Sequence, residues 1–171
     1  MSVKTVPVKV TYLQMLRPGG HDAGPPPDGV KIVRAVRPTV AFYRFLYDSV
    51  GQDWNWVDRR LMSDQQLGRI IHDDAVELYV LYVDGATAGY CELDRRGDGE
   101  IELAYFGVMP EFLGRGLGRY LLDWIVDKAW SYRPRRLWLH TCQLDHPAAL
   151  PLYRKAGFEQ FDEKVVDQRV L

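Results

Sequence analysis

Val6, Val8, Val10 and Tyr12 alternate with Lys9, Thr11 and Leu13, and this period of two predicts a half-buried strand near the start of the chain. The stretch from Arg17 to Gly29 is so dense in Gly and Pro that it reads as a loop. Lys31 to Arg37 reads as a short strand. From Pro38-Thr39 the apolar residues Phe42, Phe45, Leu46 and Val50 recur at helical spacing up to Gly51. Ser63 to Gln66 carries a reciprocal capping pattern and opens a second helix through Leu67, Ile70 and Ile71. Residues 76–83 and 86–94 are strands joined by Asp84-Gly85, a dipeptide suited to a two-residue hairpin. A third strand, Glu100 to Val108, completes an antiparallel meander. Gly118 to Ala129 then reads as a helix, Arg136 to Thr141 as a strand, Ala148 to Ala156 as a short helix, and Phe158 to Val170 as a final strand or hairpin arm.

The chain has 171 residues, about the length of one domain. Its 22 basic and 23 acidic side chains leave a net charge of -1, so no global field favours nucleic acid or an anionic membrane. No run of about 18 apolar residues could span a bilayer, and MSVKTVPVKV lacks the layout of a secretory signal. The only two cysteines, Cys91 and Cys142, are too few to staple the fold and fit a reducing compartment. A cytoplasmic protein with no nucleic-acid or membrane partner is expected.

The candidate chemistry starts at Leu113-Gly114-Arg115-Gly116-Leu117-Gly118-Arg119, placed between a strand ending at Val108 and the following helix. Alternate glycines let the backbone curl so that successive N–H groups point inward, and the helix dipole adds positive potential: an anion nest. It is no P-loop, because Gly118-Arg119-Tyr120 stands where Gly-Lys-Ser/Thr is needed. Neither is it a dinucleotide fingerprint, since Arg119 replaces the third Gly and Pro134-Arg135 stands where the ribose-binding acid belongs.

Three segments together resemble the GNAT superfamily of acetyl-CoA-dependent N-acetyltransferases: Glu102 to Val108, Gly114 to Gly118, and His146 to Phe158 with its Ala149-x-x-x-Tyr153-x-x-x-Gly157-Phe158 pattern. The resemblance implies an α+β fold with a mixed, mostly antiparallel sheet flanked by helices. Residues 30–171 would form that domain, preceded by an extra N-terminal strand and loop over 1–29. It implies acetyl-CoA as co-substrate, an amine as acceptor and no metal. Backbone groups of Phe106, Gly107 and Val108 would bond the pantetheine arm, and Leu113 to Arg119 would hold the pyrophosphate. The family usually has Gln or Arg where Leu113 stands and often Asn where His146 stands. His146 reads either as a donor to the cofactor or as a turn residue.

Acetyl transfer needs a neutral amine, a stabilised oxyanion and a protonated leaving thiol. Glu102 resembles the general base of some family members; its alternative role is a strand salt bridge. A turn at Asp98-Gly99 would set Arg95 opposite it, whereas a turn centred on Gly97 would set Glu92 there, and Glu92 is the reserve base. Tyr153 would protonate the sulfur, since a Tyr with pKa near ~10 keeps its proton at neutral pH, and the Val108 amide would serve the oxyanion. Trp54, Trp56 and Arg59 or Arg60, between the first two helices, are the candidates for acceptor recognition. Their alternative is tryptophans that anchor the loop and arginines that face water. Cys142 and His146 could suggest a covalent relay, but a free Cys is more often a small buried hydrophobe. Arg133, Arg135 and Arg136 form a basic knot, read as a solvated turn or a contact to the adenosine phosphate. A catalytically silent acyl-CoA-binding module is the second functional reading. The third has the early strand and loop serve a homodimer interface.

Overall fold

The computed structural model describes residues 3–171. Seven strands form a single sheet in the order β2-β3-β4-β5-β6-β1-β7. They are β1 (Lys4–Met15), β2 (Val30–Ala35), β3 (Val76–Val83), β4 (Ala86–Asp94), β5 (Glu100–Val108), β6 (Arg136–Cys142) and β7 (Glu159–Val170). Helices α1 (Val40–Gly51) and α2 (Asp64–Ile71) cover one face, and α3 (Leu117–Ser131) and α4 (Ala149–Lys155) the other. The fold is the mixed, mostly antiparallel α+β arrangement the sequence implied, and β5 with β6 is its parallel pair. No helix among the described residues is long and apolar enough to cross a membrane.

The local signals act where the chain needs them. Ser63 Oγ accepts from Gln66 N while Gln66 Oε1 accepts from Ser63 N, closing the capping box of α2. Thr39 Oγ1 accepts from Phe42 N at the start of α1. Asp84 and Gly85 both have positive φ, so Val83 pairs directly with Ala86 across a two-residue turn. Leu121, Leu122, Ile125 and Ala129 press one stripe of α3 onto the sheet, where Leu93, Leu103 and Leu139 meet it. Gly51 is the last residue of α1 and not its stop; the chain runs on through a 3-10 turn at Gln52–Trp54.

The N-terminal strand lies inside the sheet. β1 pairs antiparallel with β7 along nearly its whole length and with β6 along its C-terminal half, Val10 to Met15. Val8, Val10, Leu13 and Met15 are buried. The extra N-terminal strand is thus part of the same sheet, paired with β6 over Val10–Met15 and with β7 over Lys4–Gln14. The loop after β1 is tied to α3, where His21 Nδ1 lies 3.1 Å from Asp123 Oδ1.

The register around Glu102 differs from both expected turns. Asp94 pairs with Glu102, and Ala104 is an extra residue that bulges β5, so Glu92 faces Tyr105. The reason lies in the connection: Arg95 N donates to Ala75 O instead of to β5, and Arg135 N reaches back to Gly99 O. Arg135 Nη2 also donates to Asp98 O, and Arg136 pairs with Glu100 at 3.0 Å. Two arginines of the basic knot thus hold this turn, at the opposite end of β5 from the glycine-rich segment, and are not placed for an adenosine phosphate.

Candidate acetyl-transfer site

The parallel pairing of β5 and β6 stops at Glu102 and Trp138, beyond which β5 and β6 are no longer paired. Beside this splay lies a cavity of about 900 Å³. On the α3 side its wall includes Val108, Leu113, Gly114, Gly116, Gly118 and Arg119. Met109 N donates to Ala88 O on β4. Because N–H directions alternate along a strand, the Val108 N–H points away from β4, toward the splay.

The glycine-rich segment has the conformation an anion nest requires. Gly114 and Gly116 have φ of +78° and +74°, and a Cβ on either would face open space. Gly116 is the N-cap of α3, and no side chain caps that end. The first amides of α3 are therefore free to meet an anion, with the helix dipole behind them. The residues present fit the diphosphate of a coenzyme A. Leu113 is 46% exposed, and Lys155, which the sequence reading had not singled out, joins Arg119 in the cavity wall. Arg115 does not line the cavity; its guanidinium lies 5.2 Å from the Phe112 ring centroid.

Tyr153 is buried in the wall beside Phe106 and Phe158, both edge-on at about 6 Å. Burial, aided by the charge of Asp145, pushes its hydroxyl well above the ordinary tyrosine range, so it keeps its proton. His146 Nδ1 accepts from Ala148 N, and its ring packs 4.7 Å from Trp54. That nitrogen caps the turn before α4 and is not free for a ligand. Cys142 lines the cavity, but burial and then Asp145 raise its thiol, which disfavours the thiolate a nucleophile needs.

Glu102 does not itself line the cavity, whereas His140, two residues beyond its partner Trp138, does. His140 Nε2 lies 3.6 Å from Glu102 Oε1. Burial raises the Glu102 pKa to about 7, with Asp94 and Glu92 adding to the effect, and lowers that of His140. The His140 side chain is still 48% accessible, from the cavity side. The sequence reading missed this histidine because only the β5–β6 pairing brings it beside Glu102.

The acceptor candidates divide. Trp54 and Trp56 line the cavity; Trp56 also packs on Tyr47 and Tyr105, and its Nε1 donates to Asp145 Oδ1 at 3.4 Å. Gly51 has no room for a side chain, because a Cβ would stand 2.5 Å from Trp56. Arg59 is 8% exposed and does not line the cavity: Nη2 donates to Glu92 Oε1 at 2.8 Å, and Tyr43 donates to the other oxygen of Glu92. Arg59 and the reserve base Glu92 thus neutralise one another beneath α1. Arg60 is paired with Asp48 at 2.6 Å.

Comparison with known proteins agrees with this geometry. The acetyltransferase (GNAT) family matches residues 41–158. A mycothiol acetyltransferase of Kineococcus radiotolerans is 38% identical over 60% of this chain and 33% of its own length. The N-alpha-acetyltransferase RimI of Mycobacterium tuberculosis is 38% identical over 44% of this chain and 48% of its own. The chain therefore spans half or less of the curated relatives it matches. A GCN5-related N-acetyltransferase from Sphaerobacter thermophilus superposes with a TM-score of 0.68 at 21% identity, covering 96% of this chain and 52% of that one. The matched segment contains the splayed strands, the glycine-rich turn and Tyr153: this chain belongs to the acetyltransferase (GNAT) family.

Proposed function

We propose that the protein transfers an acetyl group from acetyl-CoA to a primary amine by direct attack in a ternary complex. The observation that carries this reading is a single cavity that runs from the uncapped N-terminus of α3, past the Val108 amide and Tyr153, to His140 with Glu102 behind it. Bound acetyl-CoA supplies an activated acyl group whose sulfur leaves once protonated. The nest amides of residues 114–119 hold the diphosphate, and the Val108 N–H donates to the carbonyl oxygen as negative charge grows there. The acceptor nitrogen forms its bond to the acyl carbon and gives its proton to His140, which passes it to Glu102; the C–S bond breaks and Tyr153 protonates the sulfur. Products are the amide and free thiol; solvent then takes the proton from Glu102 and returns one to Tyr153.

A Glu102 pKa near 7 supports the base role, because the carboxylate is then half ionised at neutral pH while still able to take a proton. The two cysteines are unpaired, in keeping with action in a reducing cytoplasm. The test is an amine panel assayed for free thiol release from acetyl-CoA, with coenzyme A binding measured by calorimetry. Thiol release with at least one amine supports the reading. Coenzyme A binding without release across the panel would leave a silent acyl-CoA-binding module in its place.

A further inference from the structure

The acceptor end of the cavity is walled by Tyr12, Tyr47, Trp54, Trp56 and Tyr105; the arginine among the described residues of that wall, Arg169, is paired with Asp58. Arginines near it are all engaged: Arg59 by Glu92, Arg60 by Asp48, and Arg169 by Asp58 at 3.2 Å. Carboxylates are present instead. Asp145 lines the cavity, its Oδ2 accepting from Thr141 Oγ1 and from Cys142 N, and Asp58 lines the mouth. The other end holds Lys155, the amides of the nest and Arg119, which is paired with Asp123 at 2.9 Å.

We infer that the acceptor is an amine whose α-carbon carries no free carboxylate: an arylalkylamine, or an α-amine whose carboxyl is tied up in an amide. The inference rests on the proposed reading, in which the reacting nitrogen meets His140. A free α-amino acid fixes its carboxylate within a few ångströms of that nitrogen. There it faces the Asp145 carboxylate, while the guanidinium in the wall, Arg169, is already paired with Asp58, and like charges at such distances repel strongly once water is excluded. An amide or a hydrogen at the same carbon avoids the repulsion, and the aromatic walls suit both an apolar body and a cationic head. The charge of the two aspartates also favours capture of a protonated amine before the proton is lost.

Tyramine, L-tyrosinamide and L-tyrosine make the test, since they share one ring and differ at the α-carbon. With the full chain and saturating acetyl-CoA, kcat/KM for tyramine and tyrosinamide is expected to exceed that for tyrosine at least tenfold. The Asp58→Ala variant frees Arg169 at an exposed position, and the ratio is expected to narrow. Tyrosine turning over as well as its amide overturns the inference and leaves the acetyl-transfer reading intact. If none of the three releases thiol, calorimetry on the coenzyme A-loaded protein decides: tyramine binding at least tenfold tighter than tyrosine sustains the inference though the transfer reading fails, and equal or absent binding overturns it. A ratio unchanged in Asp58→Ala would remove the Asp58–Arg169 pair from the explanation and overturn that part.

Discussion

His140 Nε2 lies 3.6 Å from a carboxylate oxygen of Glu102, with His140 two residues past the end of the parallel pairing between β5 and β6. The two groups are shifted in opposite directions. Burial lifts the carboxyl to about 7 and depresses the imidazole, so near pH 7 the histidine favours its neutral form and the carboxyl is balanced between its two forms. In the proposed mechanism the histidine, which reaches the cavity, passes a proton inward to the carboxyl, which does not.

Glu102→Gln therefore has two expected consequences. Turnover in the parent should rise with pH through an apparent pKa near 7, and the variant should lose that limb along with most of its rate. Stability should move the other way. A carboxyl whose folded pKa is raised stabilises the fold most below its unfolded pKa, and that contribution is lost as pH rises through the folded value. Going from the ordinary 4.5 to about 7 corresponds to roughly 3 kcal/mol. Glutamine does not titrate, so thermal melts should show the variant gaining on the parent from pH 5 to pH 8. A parallel pair of melting curves would show that Glu102 is not held in this environment.

Tyr153→Phe keeps the buried ring and removes the hydroxyl. Because the ring packs edge-on with Phe106 and Phe158, the fold should persist. The turnover number is expected to fall about 10²- to 10⁴-fold, while coenzyme A affinity by calorimetry stays as it was. An unchanged turnover number would remove the acid role.

Gly116→Ala tests the nest. Its φ of +74° costs alanine on the order of 1 kcal/mol, and the new methyl would project where the structure leaves open space in front of the free amides. Coenzyme A should bind about tenfold more weakly, roughly 1.4 kcal/mol, with the melting temperature only slightly lower. Unaltered affinity would place the diphosphate elsewhere.

The glycine-rich turn and Tyr153 were legible in the sequence because each must satisfy a local demand: positive φ at Gly114 and Gly116, and a position four residues before Gly157. His140 was not legible. It meets Glu102 across 38 positions of sequence, through a register set only when β6 docks. Arg59 misled for the related reason that a chain of letters does not say which charges share a buried face; Glu92 lies 33 residues away. The placing of β1 between β6 and β7 likewise depends on pairings with strands more than 120 residues away, which period-two alternation does not encode. The turn after β4 escaped both readings because Arg95 N donates to Ala75 O, outside the hairpin.

The Arg59–Glu92 pair lends itself to a double-mutant cycle. Both groups are almost wholly buried, and the Tyr43 hydroxyl shares the carboxylate. Removing one partner leaves the other charged without compensation, a loss of about 3–5 kcal/mol. Arg59→Met and Glu92→Leu should therefore each destabilise strongly, and Glu92→Gln less, because an amide can still accept from Tyr43 and Arg59. Combining Arg59→Met with Glu92→Leu should recover much of the loss, since two apolar side chains carry no desolvation penalty and Tyr43 alone is left to find a partner. Urea melts of the parent, the single variants and the double variant measure this directly. If both charges were solvated acceptor-binding groups, the single changes would each cost under about 1 kcal/mol and the double would simply add them. A coupling energy of several kcal/mol would instead fix Arg59 as a strut beneath α1, so that acceptor recognition falls to the aromatic walls around His140.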